Sequence, residues 1–361
     1  MDAMVFQKLL ITAIQRGASD IHLQVGNQPL FRVNGELVEI KYRAITPSDT
    51  QAIVMEIMSQ TIQQINLSSI SELDVSYSLE GHGRFRANIF RQRGTFNVIL
   101  RVIPIVIKSF EELHLPPVLA KISGLRRGLV LVVGATGNGK STALASMVEY
   151  INNNRRAHVV TVEDPIEFLF KNKKSVISQR EVGTDTPSFT KATVAALRQD
   201  PDVIYIGEMR EAETVETALK AAETGHLVFS SLHTTDSVGA LARLIGFYPK
   251  EQENAIRKRI SDCLMAIIAL RLVPTKDLVG RIPVVEVLRV TRTIQECIRD
   301  SAKTPDIPAH MVKGAELYDM QTFDSHLIRL VRENKVDIET AKLTANNAEE
   351  LERALMLEGA E

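Results

Sequence analysis

The stretch VVGATGNGKST, residues 132–142, decides the fold. It has the spacing G-x-x-x-x-G-K-[ST] at Gly134, Gly139, Lys140 and Ser141, between the apolar run LVLVV and the helical pattern STALASMVEYI. Glycines allow a backbone to fold around phosphate groups with its N–H groups pointing inward, and a helix N-terminus adds a positive dipole end. The stretch therefore predicts a loop that binds a nucleoside triphosphate.

The residues of this loop have separate expected tasks. Lys140 places a positive charge at the β- and γ-phosphates, and the Ser141 hydroxyl can ligate Mg²⁺. We therefore expect ATP and Mg²⁺ as cofactors. The expected nucleotide contacts are the whole run Gly134, Ala135, Thr136, Gly137, Asn138, Gly139, Lys140, Ser141 and Thr142.

The composition is that of an ordinary folded protein. The chain has 361 residues, 45% hydrophobic and 24% charged, with a net charge of -1, which suits about two domains and does not imply a broad nucleic-acid-binding face. Cys263 and Cys297 are too few for a disulfide framework or a four-cysteine zinc site. No apolar run approaches the roughly 18 residues of a membrane helix, and a signal peptide is not evident. We expect a cytoplasmic protein.

The first part of the chain predicts a small α+β domain, residues 1–107. Short alternating runs, typical of strands, lie beside two helical patterns, MVFQKLLITAIQ and SDTQAIVMEIMSQ. The predicted strands are IHLQVG, PLFRVNG, LDVSYSL, RFRANIF and FNVILRVI. A linker is expected at 108–118, because Pro116-Pro117 interrupts any regular element there.

The remaining residues, 119–361, predict an α/β domain. The apolar runs GLVLVVG, AHVVTVEDP, DVIYIGE and HLVFSSLH alternate with helical stretches, which favours a mostly parallel sheet covered by helices on both faces. From about residue 290 the pattern is mostly helical.

Two acidic segments follow predicted strands. A phosphate-loop site usually takes a second acid from a neighbouring strand end, and Glu208 lies at such an end, preceded by Gly207 where an aspartate is expected. Glu163 and Asp164 end another strand, where a carboxylate could orient and deprotonate the attacking water.

Two histidines flank the run LVFSSL. His226 and His233 are seven positions apart and point to opposite sides of a regular strand, so a shared metal is not expected. His233, at the carboxyl end, is where a γ-phosphate sensor would lie. A hydrogen-bonded structural histidine is the alternative.

An arginine-rich hairpin is predicted far from the phosphate loop. GRFRANIFRQRGTFNVILR turns at RQRG and carries Arg84, Arg86, Arg91, Arg93 and Arg101. The arginines could complete an ATP site as trans-acting fingers, could form a nucleic-acid ribbon with the interleaved phenylalanines, or could be a solvated face. Spacing alone does not separate these interpretations.

Four segments together resemble a known family. GATGNGKST, VVTVEDPIEF, LRQDPDVIYIGEMRE and GHLVFSSLHTTDS, in that order, resemble the Walker A, Asp, atypical Walker B and His boxes of the secretion-type ATPases. RGASDIHL and MQTFDSHL are similar to segments of the type IV pilus retraction branch, the PilT/PilU group. The resemblance implies a homo-hexameric ring with a PAS-like N-terminal domain and a RecA-like C-terminal domain. Such a ring acts at the inner face of the cytoplasmic membrane, on a pilus platform protein, and hydrolyses ATP to drive pilus retraction and twitching motility.

The resemblance also implies roles for single residues. It places Lys140 and Ser141 in the Walker A motif and makes Glu163 the general base. The other implied assignments are Glu208 as the Walker B acid and, with Ser141, a metal ligand, His226 and His233 as the His-box pair, and Arg86 and Arg101 as the arginines that reach the γ-phosphate.

Some positions depart from the family pattern. Ala135 and Asn138 stand where Pro and Ser are usual, and TIQECIRD has Thr293 and Gln295 where Ala and Arg are usual. These departures leave open an accessory or non-hydrolysing ring subunit that docks to another pilus motor. A nucleic-acid translocase with the same core is a further alternative, which the near-neutral charge does not favour. The missing four-cysteine zinc module favours the retraction branch.

Overall fold

The computed structural model describes residues 1–33, 35–60, 66–103, 106–278 and 280–357. Residues 34, 61–65, 104–105, 279 and 358–361, which belong to the predicted domains, lie outside the described residues. The described chain divides into two compact units. The first consists of Met1–Val106, Asp164–Phe170 and Glu181–Asp185, and the second of Ile107–Glu163, Lys171–Arg180 and Thr186–Glu361. The sequence does not predict that the short segments Asp164–Phe170 and Glu181–Asp185 belong to the first unit.

The described residues of the first unit form an antiparallel six-stranded sheet with two α-helices. Its strand order is β3-β2-β1-β6-β5-β4. The elements are α1 Ala3–Gln15, β1 Asp20–Leu23, β2 Leu30–Val33, β3 Glu36–Glu39, α2 Pro47–Met58, β4 Glu72–Leu79, β5 Gly83–Gln92 and β6 Thr95–Ile103. All five predicted strands are present. β3 escapes prediction because its four residues are exposed, so no apolar alternation marks it.

Alternation along β5 separates an apolar face from a polar one. Phe85, Ala87 and Ile89 are fully buried in the core of this unit, and Arg84 and Arg86 alternate with them on the opposite face. The hairpin turns at Arg93 and Gly94, which have φ values of 50° and 82°, the left-handed pair that a two-residue hairpin loop requires. The turn predicted at RQRG is therefore confirmed.

The described residues of the second unit form a seven-stranded sheet with twelve α-helices. The strand order is β13-β12-β7-β11-β10-β8-β9, with parallel pairing from β12 through β8 and antiparallel pairing of β12 with β13. The strands are β7 Gly128–Val133, β8 His158–Glu163, β9 Val176–Glu181, β10 Val203–Ile206, β11 Leu227–Leu232, β12 Leu264–Pro274 and β13 Arg281–Arg289. The predicted, mostly parallel sheet is confirmed.

The helices of this unit cover both sheet faces, since every residue of β7 and β11 is buried. They are α3 Val118–Ser123, α4 Lys140–Asn154, α5 Phe189–Ala196, α6 Ala212–Glu223, α7 Ser237–Ile245, α8 Glu253–Cys263, α9 Arg292–Arg299, α10 Ile307–Lys313, α11 Ala315–Tyr318, α12 Phe323–Arg332, α13 Ile338–Thr344 and α14 Ala348–Leu357. The mostly helical end predicted from residue 290 is present. Cys263 and Cys297 are buried free thiols, and burial raises the pKa of Cys263 to about 12. Within the described ranges, no helix is both long and apolar enough to span a membrane.

The register of the parallel strands aligns their carboxyl ends. Val133 of β7 lies opposite Leu232 of β11, and Ile206 of β10 lies opposite Ser230 of β11 and Val162 of β8. The residues that follow β7, β8, β10 and β11 therefore meet at one edge of the sheet. In open parallel sheets this edge is where ligands bind.

Candidate nucleotide-binding site

The phosphate loop connects β7 to α4 and is shaped by two glycines. Gly134 has φ 154°, and a Cβ there would lie 2.6 Å from the Leu270 carbonyl oxygen, so a side chain does not fit. Gly139 caps α4 with φ 84°, in the left-handed region. Asn138 fastens the loop to β12, because its Oδ1 accepts a hydrogen bond from the Leu272 N–H at 3.3 Å. This asparagine, a departure from the family pattern, therefore has a structural role.

Lys140 is buried at the start of α4, with its ammonium inside the loop. Its Nζ donates to the carbonyl oxygens of Gly134 at 2.8 Å and Ala135 at 3.2 Å. Ser141 and Thr142 follow in the first helical turn and are half-buried, whereas Ala135, Thr136 and Gly137 are exposed at the loop surface. The loop thus has a helix N-terminus, a lysine charge and a hydroxyl in the order that phosphate binding requires.

Glu163 ends β8 as a buried carboxylate held by two side chains. Its Oε1 accepts from Thr161 Oγ1 at 2.6 Å and from Gln179 Nε2 at 3.1 Å. Asp164, the other acid predicted at this strand end, is exposed and belongs to the first unit. Of the two acids, Glu163 is the one whose orientation is fixed beside the phosphate loop's sheet edge.

Glu208 and His233 meet directly. The Glu208 Oε1 lies 3.1 Å from His233 Nε2, and its Oε2 lies 2.9 Å from Arg210 Nη2. Burial raises the pKa of Glu208, but the hydrogen bond from Arg210 and the charges of His233 and Arg210 outweigh it and hold the pKa below the usual value. His233 Nδ1 also lies 3.4 Å from Thr136 Oγ1 in the phosphate loop. His233 therefore connects the acid to the loop.

Gly207 has a steric reason to lack a side chain. A Cβ at this position would lie 3.3 Å from the Val162 carbonyl oxygen and 3.5 Å from Glu163 Cα. An aspartate there would press against the backbone that carries Glu163.

His226 is not brought to the phosphate loop of its own chain. It precedes β11, and its carbonyl oxygen accepts from the Gly128 N–H at the amino end of β7, whereas the loop follows the carboxyl end. Its ring Nδ1 lies 3.0 Å from the Ala221 carbonyl oxygen and 3.2 Å from Thr224 Oγ1. Within one chain His226 is a hydrogen-bonded residue at the opposite sheet edge, and its expected contact with the nucleotide stays a prediction.

Arg86 and Arg101 lie directly opposite each other on β5 and β6 of the first unit. Both side chains are substantially exposed, 45% for Arg86 and 70% for Arg101. Arg84 differs, since its guanidinium is mostly buried against Glu181 at 2.7 Å. Phe85 and Phe96 are buried, so these two rings do not form the exposed stacking surface of a nucleic-acid ribbon.

A comparison with known protein families agrees with this geometry. The family described as "Type II/IV secretion system protein" matches residues 2–354. The chain belongs to this family.

Two curated relatives from Pseudomonas aeruginosa are similar over nearly the full length of this family member. "Type IV pilus ATPase PilU" is 38% identical over 354 residues, 98% of this chain and 92% of the relative. "Type IV pilus retractation ATPase PilT" is 38% identical over 339 residues, 94% of this chain and 97% of the relative. A solved structure of the pilus retraction motor PilT with bound ADP matches with a TM-score of 0.86 and 38% identity, over 98% of this chain and 99% of that one.

Several residues of the site are not predicted from the sequence. Gln179 and Thr161 hold Glu163, and Arg210 pairs with Glu208. Arg210 follows Glu208 by two residues, a spacing that could have suggested the pair. Gln179 has no such signal, because its strand, β9, lies at the sheet edge and carries no strong apolar pattern.

Proposed function

We propose that this protein is a Mg²⁺-dependent ATPase that converts hydrolysis into mechanical work. The observation that carries the proposal is the meeting of a phosphate loop, a buried carboxylate and an acid–histidine pair at one edge of a parallel sheet. Lys140, Glu163, Glu208 and His233 come from four different strand ends, and the register alone aligns them. A loop that only bound a nucleotide would not need this set.

Each group has a task in phosphoryl transfer to water. Lys140 and Mg²⁺ neutralise the phosphate charge, Glu163 orients and deprotonates the water, and His233 responds to the γ-phosphate. Mg²⁺ would be held by the Ser141 hydroxyl and approached by Glu208. Because the described residues contain no group of three or more His, Cys, Asp or Glu suited to a metal, the remaining ligands would be phosphate oxygens and water, as Mg²⁺ prefers.

Arg86 and Arg101 would complete the site from a neighbouring subunit of a homo-hexameric ring. Their exposure supports this role, because a finger must present its guanidinium outside its own domain. The PAS-like character of the first unit and the RecA-like character of the second are part of the same proposal, as are the domain limits 1–107, 108–118 and 119–361.

The chain path supports coupling between hydrolysis and movement. Glu163 is the last residue of a second-unit segment, and Asp164–Phe170 belongs to the first unit. Within the first unit, Glu181 accepts from the Ile166 N–H at 2.9 Å, from Ser76 Oγ at 3.0 Å and from Arg84 at 2.7 Å. A movement of the first unit would therefore reach the candidate base through the chain that directly follows it.

The load would be a type IV pilus. The names of the relatives support retraction of the pilus and twitching motility, with the ring in the cytoplasm against an inner-membrane platform protein. As His226 lies at the opposite sheet edge in its own chain, any nucleotide contact it makes would also require the assembled ring.

The test is Mg-ATP hydrolysis per subunit over a wide range of protein concentration, with the oligomeric state measured in parallel. We expect specific activity to rise steeply and then saturate as rings form. Equal activity in monomers and rings would contradict the shared site, and an absence of hydrolysis at every concentration would contradict the enzyme.

A second candidate is an accessory motor that retracts pili only together with another ATPase. Two observations support this candidate: the equal identity to PilU and PilT, and the presence of Thr293 and Gln295 on α9. Expression in a piliated strain that lacks its own PilT and PilU separates the two. Retraction of labelled pili by this chain alone supports the principal proposal, and retraction only after PilT is restored supports the accessory role.

A further inference from the structure

A row of charged residues crosses the polar face of the six-stranded sheet. Arg32, Asp20, Arg101 and Arg86 lie directly opposite one another on β2, β1, β6 and β5. Asp20 belongs to the segment RGASDIHL, which the proposed function leaves unexplained. It is the one acid among these four positions, and it stands between two arginines.

Asp20 is a fixed anion at the base of Arg101. Its side chain is 10% exposed, whereas that of Arg101 is 70% exposed, and Arg101 Nε donates to Asp20 Oδ1 at 2.9 Å. The other carboxylate oxygen accepts from Ser19 Oγ at 2.8 Å and lies 3.9 Å from Arg32 Nε. Burial raises the pKa of Asp20, but the hydrogen bonds from Arg101 and Ser19 outweigh it and keep the pKa below its usual value.

This contact orients the guanidinium without using its phosphate-binding fork. Nε is the nitrogen nearest the aliphatic stem, so a hydrogen bond there restricts rotation of the guanidinium plane. The two Nη groups, which make parallel hydrogen bonds to phosphate oxygens, do not take part in the Asp20 contact. An arginine held in this way has less rotamer entropy to lose when it meets a phosphate.

We propose that Asp20 is a positioning residue that pre-orients Arg101 for the γ-phosphate of a neighbouring subunit. The proposal rests on the finger role in the proposed function. The second arginine provides a contrast within the same sheet. Arg86 lies 3.6 Å from Asp74, and both side chains are about half exposed, so solvent screens that pair and it fixes little.

The experiment compares Asp20→Ala and Asp20→Asn with the matched control Asp74→Ala in the full-length protein. We expect Asp20→Ala to lower kcat about 10- to 100-fold, the range for a misplaced reacting group, with KM for ATP within about twofold because Asp20 does not bind nucleotide. Asp20→Asn keeps an acceptor and should lower kcat less. Asp74→Ala should change kcat by less than about threefold.

A double-mutant cycle separates positioning from a loss of folding. If Asp20 acts through Arg101, then Asp20→Ala in an Arg101→Ala background lowers kcat no further. Thermal unfolding and ring assembly are measured for every variant. An equal loss of kcat in both backgrounds, or unchanged kcat in Asp20→Ala alone, overturns the proposal.

Failure of the inference and failure of the proposed function give different results. If Arg101→Ala leaves kcat unchanged, the finger assignment itself is wrong. If Arg101→Ala lowers kcat by orders of magnitude and the Asp20 variants do not, Arg101 is a finger that needs no positioning by Asp20.

Discussion

The side chains at the phosphate-loop site and the arginines Arg86 and Arg101 are held in opposite ways. Lys140 and Glu163 are buried, and each hydrogen-bonds to groups of its own compact unit. Arg86 and Arg101 stand on strands whose other face is core, yet the Arg86 side chain is about half exposed and that of Arg101 is mostly exposed. The first arrangement suits groups that act within their chain, and the second suits groups that act on another molecule.

The contrast is sharpest within β5 itself. Arg84 and Arg86 share a face, but the Arg84 guanidinium is mostly buried and paired with Glu181, which also binds the Ile166 N–H. Arg86 instead lies 3.6 Å from Asp74, in a pair that is about half exposed. Two arginines two positions apart therefore have different tasks, with Arg84 organising its own unit and Arg86 facing outward.

The largest effect is expected from the exposed arginines. Arg86→Ala and Arg101→Ala should each lower turnover by about 10³-fold or more, because a finger stabilises the charge of the transition state. Steady-state ATP hydrolysis, at a protein concentration at which rings form, measures this loss of turnover. Arg93→Ala, at the exposed hairpin turn, is the matched control and should retain turnover. Intact turnover in both Arg86→Ala and Arg101→Ala would mean that these arginines only form a solvated face.

A similar or slightly smaller loss is expected at the buried carboxylate. Glu163→Gln should lower kcat by about 10²- to 10⁴-fold, since the amide cannot accept the proton of the water, while nucleotide affinity stays close to that of the wild type. Single-turnover hydrolysis and binding of labelled ATP measure the two quantities. Glu167→Gln, an exposed acid in the segment that follows, should leave both unchanged. A loss of binding in Glu163→Gln would instead point to a structural role.

The two units should also respond differently to acid. His326 is buried in the second unit, its Nδ1 accepts from the Val285 N–H at 2.8 Å, and burial together with Arg329 lowers its pKa to about 4. Because the unfolded chain binds this proton from about pH 6.5 downward and the folded chain only near pH 4, stability falls as pH drops between these values, by at most about 3 kcal/mol.

The measurement is thermal or denaturant unfolding of the wild type and of His326→Asn between pH 7 and pH 5. Asparagine offers an acceptor to Val285 but does not titrate, so the wild type should lose more stability than the variant over this range. Subtracting the two pH curves removes the contributions of other titrating groups. Glu286 is one such group, because burial raises its pKa. Asp49 in the first unit has a pKa held well below its usual value by Arg43, so its contribution is lost only below about pH 4. Parallel curves of stability against pH for the two proteins would rule out His326 as a source of the acid sensitivity.

The sequence predicts the second unit's core and the phosphate loop well, because both depend on local patterns. Apolar runs mark the buried strands, and the loop's glycines and lysine have fixed spacing. The contacts that hold Arg101 and Glu181 are non-local. Asp20 and Arg101 are 81 residues apart and Ser76 and Glu181 are 105 apart, and only strand register and folding bring them together. The segment Asp164–Phe170 likewise belongs to the first unit through non-local contacts. Apolar alternation and motif spacing do not predict such contacts.

The smallest effect is expected from Gln179, which supports the Glu163 carboxylate by a hydrogen bond. Gln179→Ala removes a 3.1 Å hydrogen bond to Glu163 Oε1, and a hydrogen bond to a charged group contributes about 1.5–3 kcal/mol, so we expect kcat to fall about tenfold. Ser178→Ala, the neighbouring β9 residue, bonds to His158 instead and should leave kcat unchanged. Because Thr161 still holds the same oxygen at 2.6 Å, the loss should be smaller than for Glu163→Gln. A loss as large as that of Glu163→Gln would mean that Gln179 itself contacts the reacting water.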